Sequence, residues 1–96
     1  MDLLKKSFRK SLSIISRLVG EEVIIVPTVG KKQDLKKIYA VSGSGVRIWS
    51  LLDGKRSLKV IRNILIKEFD VLPDKLEKDL VSIIGELVDK KFIEAI

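Results

Sequence analysis

Cysteine and histidine are both absent from the 96 residues. No disulfide can staple the fold, and no Cys- or His-ligated zinc or haem site can form. Nucleophilic catalysis of the Cys–His or Ser–His–Asp kind has no imidazole to act as base. Long apolar runs are missing as well. The longest, Val23 to Pro27, falls far short of the roughly 20 residues that span a bilayer. Proline occurs only twice, so Pro27 and Pro73 stand out as markers of a strand end and a helix start. What is present is a chain that is 46% apolar and 33% charged, enough for one small core and too little for two. These features describe a soluble, single-domain protein of a reducing compartment, expected to be cytoplasmic. It is not expected to be an enzyme or to carry a cofactor or metal.

The net charge of +6 is unevenly spread. Lys5, Lys6, Arg9, Lys10 and Arg17 face only Asp2 in residues 1–17, whereas residues 73–96 carry more acidic than basic groups. A basic chain raises nucleic acid, a membrane surface or an acidic peptide as partners. Leu4, Phe8, Leu12 and Ile15 recur at helical spacing, so the first dozen residues can be read as a basic amphipathic helix or a targeting peptide. They can equally be a loosely ordered arm, residues 1–12, leading into a domain of residues 13–96.

Along that domain, Ser13 to Arg17 reads as a first strand, turning through Val19-Gly20-Glu21 into Glu22–Thr28, whose run of β-branched residues makes it the strongest strand. Residues 30–35 form a polar loop, and Lys36–Val41 is a third strand. The period then changes. Ser42 or Ser44 is expected to cap a helix over Val46–Leu52, with Val46, Trp49 and either Leu51 or Leu52 on one side. Asp53-Gly54 stops it, Gly54 being suited to a left-handed position. Ser57 caps a second helix with the stripe Val60, Ile61, Ile64, Leu65 and Phe69. A third runs from about Asp74 to Lys91. Its apolar residues, Leu76, Leu80, Val81, Ile83, Ile84, Leu87 and Val88, fill an arc wider than the roughly 100° one neighbour requires. The order β-β-β-α-α-α gives an α+β fold, winged helix-turn-helix-like, with three antiparallel strands first.

The run IYAVSGSGVRIWSLLDGKRSLKVI at Ile38–Ile61, with GEEVIIVP before it and EFDV after it, resembles the coenzyme PQQ synthesis protein D (PqqD) family. The same domain is known as the RiPP precursor peptide recognition element. The family pattern of a strand ending in Leu-Asn, a Gly before an Ile-Trp helix, an Asp-Gly stop, a Thr-Val or Ser-Leu entry and an early Asp in the third helix corresponds here to Val41-Ser42, Gly45, Ile48-Trp49, Asp53-Gly54, Ser57-Leu58 and Asp79. The likeness covers about residues 13–93. Ser42 replaces the usual Asn, and a Ser can cap a helix as Asn does.

The resemblance implies a non-catalytic peptide chaperone. Its partners would be the leader segment of a ribosomally made precursor peptide and a modifying enzyme, often of the radical SAM class, as in PQQ biosynthesis. In the family the leader adds as a strand beside the third strand and packs against the third helix. The edge would then be Lys36, Lys37, Ile38, Tyr39, Ala40 and Val41, with Leu80, Ile83, Ile84 and Leu87 lining a groove. The two lysines would favour acidic leader residues, or merely guard an edge against aggregation, and the four helix residues are read either as groove or as core. Trp49 is expected in the core.

The alternative is a winged-helix DNA-binding protein, suggested by the positive charge and the helix pair. Against it stand the acidic third helix, with Glu77, Asp79, Glu86 and Asp89, and the lack of a hairpin after it. Nucleic acid and stable membrane insertion are therefore not expected. The chain reads as free-standing, a monomer or a strand-exchanged dimer.

Overall fold

The β-branched run from Val23 to Val26 builds the central strand of the sheet. In the computed structural model, which describes residues 3–29, 32–33 and 35–96, this strand is β3 (Glu22–Val29). β2 (Ile14–Val19) lies antiparallel along one side of it, joined by the turn at Gly20, whose φ of +62° is a left-handed value that glycine adopts without strain. β5 (Tyr39–Val41) pairs antiparallel with Val23–Ile25, and the two-residue β4 (Lys32–Gln33) pairs with the far end of β3. Gly30, Lys31 and Asp34 of the expected polar loop lie outside the described residues.

The expected third strand is shortened. Residues 35–37 form a 3-10 turn, so Lys36 and Lys37 are not in the strand, and pairing begins only at Tyr39. Register supplies the reason. Continuing the β3–β5 ladder would set Lys37 opposite Pro27, which has no N–H to give.

Three helices follow, in the expected order. α1 (Ser44–Leu51) begins at Gly43, with φ +62°, and no side chain caps it; neither Ser42 nor Ser44 takes that role. α2 (Leu58–Glu68) is capped by Ser57, whose hydroxyl accepts the Val60 N–H. α3 (Pro73–Asp89) starts with proline in its first turn. It closes in a Schellman turn: Phe92 N–H donates to the Leu87 carbonyl and Lys91 N–H to that of Val88, with Lys91 at a left-handed φ of +61°.

The helices cover one face of the sheet. Val23 and Ile25 from β3 meet Ile48 and Trp49 of α1, Leu58, Ile61 and Leu65 of α2, and Leu76, Leu80, Ile84 and Leu87 of α3 in a single buried cluster. Trp49 is in the core, as expected. A fully buried Leu or Ile contributes roughly 1.5–3 kcal/mol relative to exposure, and this cluster is the main stabilising term.

The N-terminal segment differs from both of its expected forms. It is neither a loose arm nor an amphipathic helix. β1 (Phe8–Lys10) pairs antiparallel with β6 (Ile93–Ala95), making a second, two-stranded sheet from the two ends of the chain. On its other side the Lys6 carbonyl accepts the Leu58 N–H and the Phe8 carbonyl accepts the Gly54 N–H. Phe8 is buried in the core, while Leu12, expected on the same apolar helix face, is 94% exposed. A local helical period could not show this, because the pairing partners sit at the opposite end of the sequence. Among the described residues no helix is long and apolar enough to cross a membrane.

Candidate functional site

Hydrogen-bond parity decides what the free side of β5 can offer. Thr28 N–H donates to the Ser13 carbonyl, which fixes Ser13 and Thr28 as a bonded pair. Bonded pairs recur every second residue in an antiparallel ladder. Ile24 and Val26 therefore turn their main-chain groups toward β2, and Val23 and Ile25 turn theirs toward β5. On β5 this leaves Tyr39 and Val41 bonded to β3, and Ala40 with its N–H and C=O directed away from the sheet. Among the described residues β5 pairs with β3 alone, so its outer margin is open.

The side chains follow the same alternation. Tyr39 and Val41 share the inner face with Ile25 and Val23, opposite which they sit. Val41 is buried against α1. A Cβ built on Gly45 would stand 2.6 Å from Val41 Cγ1 and 4.0 Å from Ile83 Cδ1, so glycine lets α1 approach the strand. Tyr39 reaches across to α3. Its hydroxyl donates to Glu86 Oε1 at 2.6 Å, its ring lies 5.8 Å from that of Phe92, and Lys90 Nζ stands 5.0 Å over it. The bond to Glu86, then burial, then the Glu86 charge push the phenol pKa up to about 12.

Below Tyr39 opens a cavity of about 600 Å³. Ser13, Ile14, Pro27 and Thr28 form its sheet wall, Lys37, Ile38 and Tyr39 its β5 side, and Asp89 to Phe92 its helix end. Its lining joins the apolar Ile14, Pro27, Ile38 and Phe92 to Lys37, Lys90 and Lys91, with Asp89 the one acid among the described residues. Ile38 and Tyr39 join this cavity to the start of β5. The arrangement supplies main-chain pairing, an apolar recess and a cationic rim, which together form a binding geometry.

The expected site residues are thus only partly brought together. Lys37, Ile38 and Tyr39 line the cavity, Ala40 holds the open edge, the exposed Lys36 lies in the 3-10 turn before it, and Val41 is turned into the core. Leu80, Ile84 and Leu87 are fully enclosed and line no groove. Ile83 is half-buried next to Val41 and Gly45. The surplus width of the α3 arc comes from Val81 and Val88, each 40% exposed and away from β5. Sequence reasoning missed Ile14, Pro27, Lys90, Lys91 and Phe92. The Lys90-Lys91 pair at the helix end, ahead of Phe92, was the available signal. Among the described residues no group of His, Cys, Asp or Glu could hold a metal ion.

The sequence pattern of the family described as coenzyme PQQ synthesis protein D (PqqD) matches residues 22–93. The chain is similar to a PqqA binding protein of Gluconobacter oxydans (strain 621H), with 34% identity over 58 residues. That match covers 60% of this chain and 60% of the relative, so it spans about three fifths of the relative's length. The fold is similar to that of TbiB1, solved in complex with the TbiA(beta) leader peptide. The TM-score is 0.76 at 23% identity, covering 90% of this chain and 94% of that one. At that identity the likeness establishes the strands-then-helices architecture.

Proposed function

The chain belongs to the coenzyme PQQ synthesis protein D (PqqD) family, and from that premise we propose that it is a non-catalytic peptide chaperone of the cytoplasm. It binds the leader segment of a ribosomally synthesised precursor peptide and presents the rest to a modifying enzyme, of the radical SAM class. The leader adds as a strand to β5. Its main chain pairs with Ala40, an apolar side chain enters the recess beside Ile14, Pro27 and Phe92, and acidic side chains meet Lys37, Lys90 and Lys91.

The observation that carries this reading is the open margin of β5 beside a cavity at the end of α3. The relative named for binding PqqA and the structural neighbour solved with a leader peptide support it. The DNA-binding alternative has less support: α3 exposes Asp79 and Asp89, its Glu77 is paired with Arg62 of α2, and the chain after α3 enters the single strand β6 rather than a winged hairpin. Fluorescence anisotropy tests the proposal, using labelled peptides translated from the short reading frames flanking this chain's gene. Saturable binding of one of them, lost when its sequence is scrambled, is expected. Binding of scrambled and native peptides alike would reject a leader-specific site.

A further inference from the structure

The sheet has a second open margin. β2 pairs only with β3 among the described residues. By the parity set by Ser13 and Thr28, the main-chain groups of Ile15, Arg17 and Val19 turn toward β3, and those of Ser16 and Leu18 turn away. The side chains of Ser16 and Leu18 lie opposite Ile25 and Val23, on the inner face. There a groove runs between β2 and α1. One end, of about 300 Å³, is walled by Lys10, Leu18, Val46 and Trp49, with Arg17 at its rim. The groove continues past Leu18 and Val46 to Glu21 and Arg47.

The cations at the Lys10 end have little to balance them. Lys10 Nζ stands 5.1 Å over the Trp49 ring, and among the described residues no carboxylate lines this part of the groove. Burial lowers the Lys10 pKa, with only the Asp53 charge acting the other way. The Asp53 carboxylate is itself held by Arg56 and by the N–H groups of Lys55 and Arg56. At the far end Arg47 is already paired with Glu68. The unmet demand for negative charge therefore lies at the Lys10 end of the groove, beside the open margin of β2.

We propose that the β2–α1 groove is a second strand-docking site, taking an extended segment of a partner protein. That segment carries an acidic residue two positions from an apolar one, so that both point into the groove: the acid toward Lys10, the apolar side chain toward Leu18 and Val46. The inference stands on β2, α1 and Lys10 of β1 and does not depend on what β5 binds. It would leave the β5 margin free while a second protein is held on the opposite side of the sheet.

The test is a titration of ¹⁵N-labelled chain, followed by amide chemical shifts, with the blocked peptide Thr-Glu-Thr-Val-Thr-Val. Saturable shifts are expected at Ser16, Leu18, Val46 and the Trp49 indole. Replacing the peptide Glu by Gln, or Lys10→Met in the chain, should weaken binding about two- to five-fold, and the Lys10→Met spectrum itself reports whether that variant is folded. Shifts centred on Ala40 and Lys90, no saturable shift at β2, or equal binding of the Gln peptide would overturn the proposal. So would shifts at Ser16 and Leu18 that depend on the chain's own concentration, since these would assign the groove to a second copy.

Discussion

Replacing Ala40 by proline separates the docking margin from the fold that carries it. Ala40 is the one β5 residue whose N–H points away from β3, because Tyr39 and Val41 make the ladder bonds to Ile25 and Val23. Proline therefore removes a donor that the folded chain does not use within the sheet, and edge strands accept proline. The leader loses one main-chain bond, worth about 1 kcal/mol net, and its carbonyl is left against a ring with no donor, which costs about 1 kcal/mol more. The sum of roughly 2 kcal/mol corresponds to about a thirty-fold rise in Kd. Anisotropy with the leader peptide measures it, alongside a thermal unfolding curve. A variant that melts within a few degrees of the parent yet binds thirty-fold more weakly fits the reasoning. A folded variant with undiminished affinity would refute strand addition at this edge.

Other substitutions probe the packing around the site. Tyr39→Phe removes the bond to Glu86 and should cost about 0.5–1 kcal/mol, because the pair is largely exposed and screened. The folded phenol pKa, about 12, exceeds the ordinary phenol value of 10.0, so the folded chain holds that proton more tightly than the unfolded one. This contribution is intact below pH 10 and is lost as pH rises toward 12; a urea series should show that decline in the parent and not in Tyr39→Phe. Lys91→Gly should stabilise by about 1 kcal/mol by relieving the left-handed φ of +61°, raising Tm by about 4–8 °C, while Lys91→Ala should not. Gly45→Ala should destabilise, since forcing a methyl to 2.6 Å from buried Val41 costs about 1–3 kcal/mol against a helix-propensity gain of about 1. Gly85→Ala, with nothing within 4 Å of the new methyl, should stabilise by up to about 1 kcal/mol, and the opposite signs of the two glycine changes are read from one pair of melts.

Much of the architecture was legible because it is local. The β-branched run at Val23–Val26, the Ser57 cap, the proline opening α3 and the apolar periods of the helices each announce themselves within a few residues. The losses all came from pairing between distant segments. Nothing near Phe8 indicates that Ile93–Ala95 will lie beside it, so a core residue was read as part of an arm. Pro27 was visible, but its effect, shortening the strand opposite, depends on a register that only the folded sheet defines. A helical wheel shows how wide the apolar arc of α3 is and not what meets it. Leu80, Ile84 and Leu87 are closed off by the body of the domain, and the recess forms one turn further on, at Lys90 to Phe92.

Amide hydrogen exchange at a single position bears most directly on the docking edge. In the free chain the Ala40 N–H has no strand partner among the described residues, and it should exchange quickly. With saturating leader peptide the account predicts strong protection at Ala40 and none at Ser16 or Leu18. Unchanged exchange at Ala40 in the bound chain would contradict it.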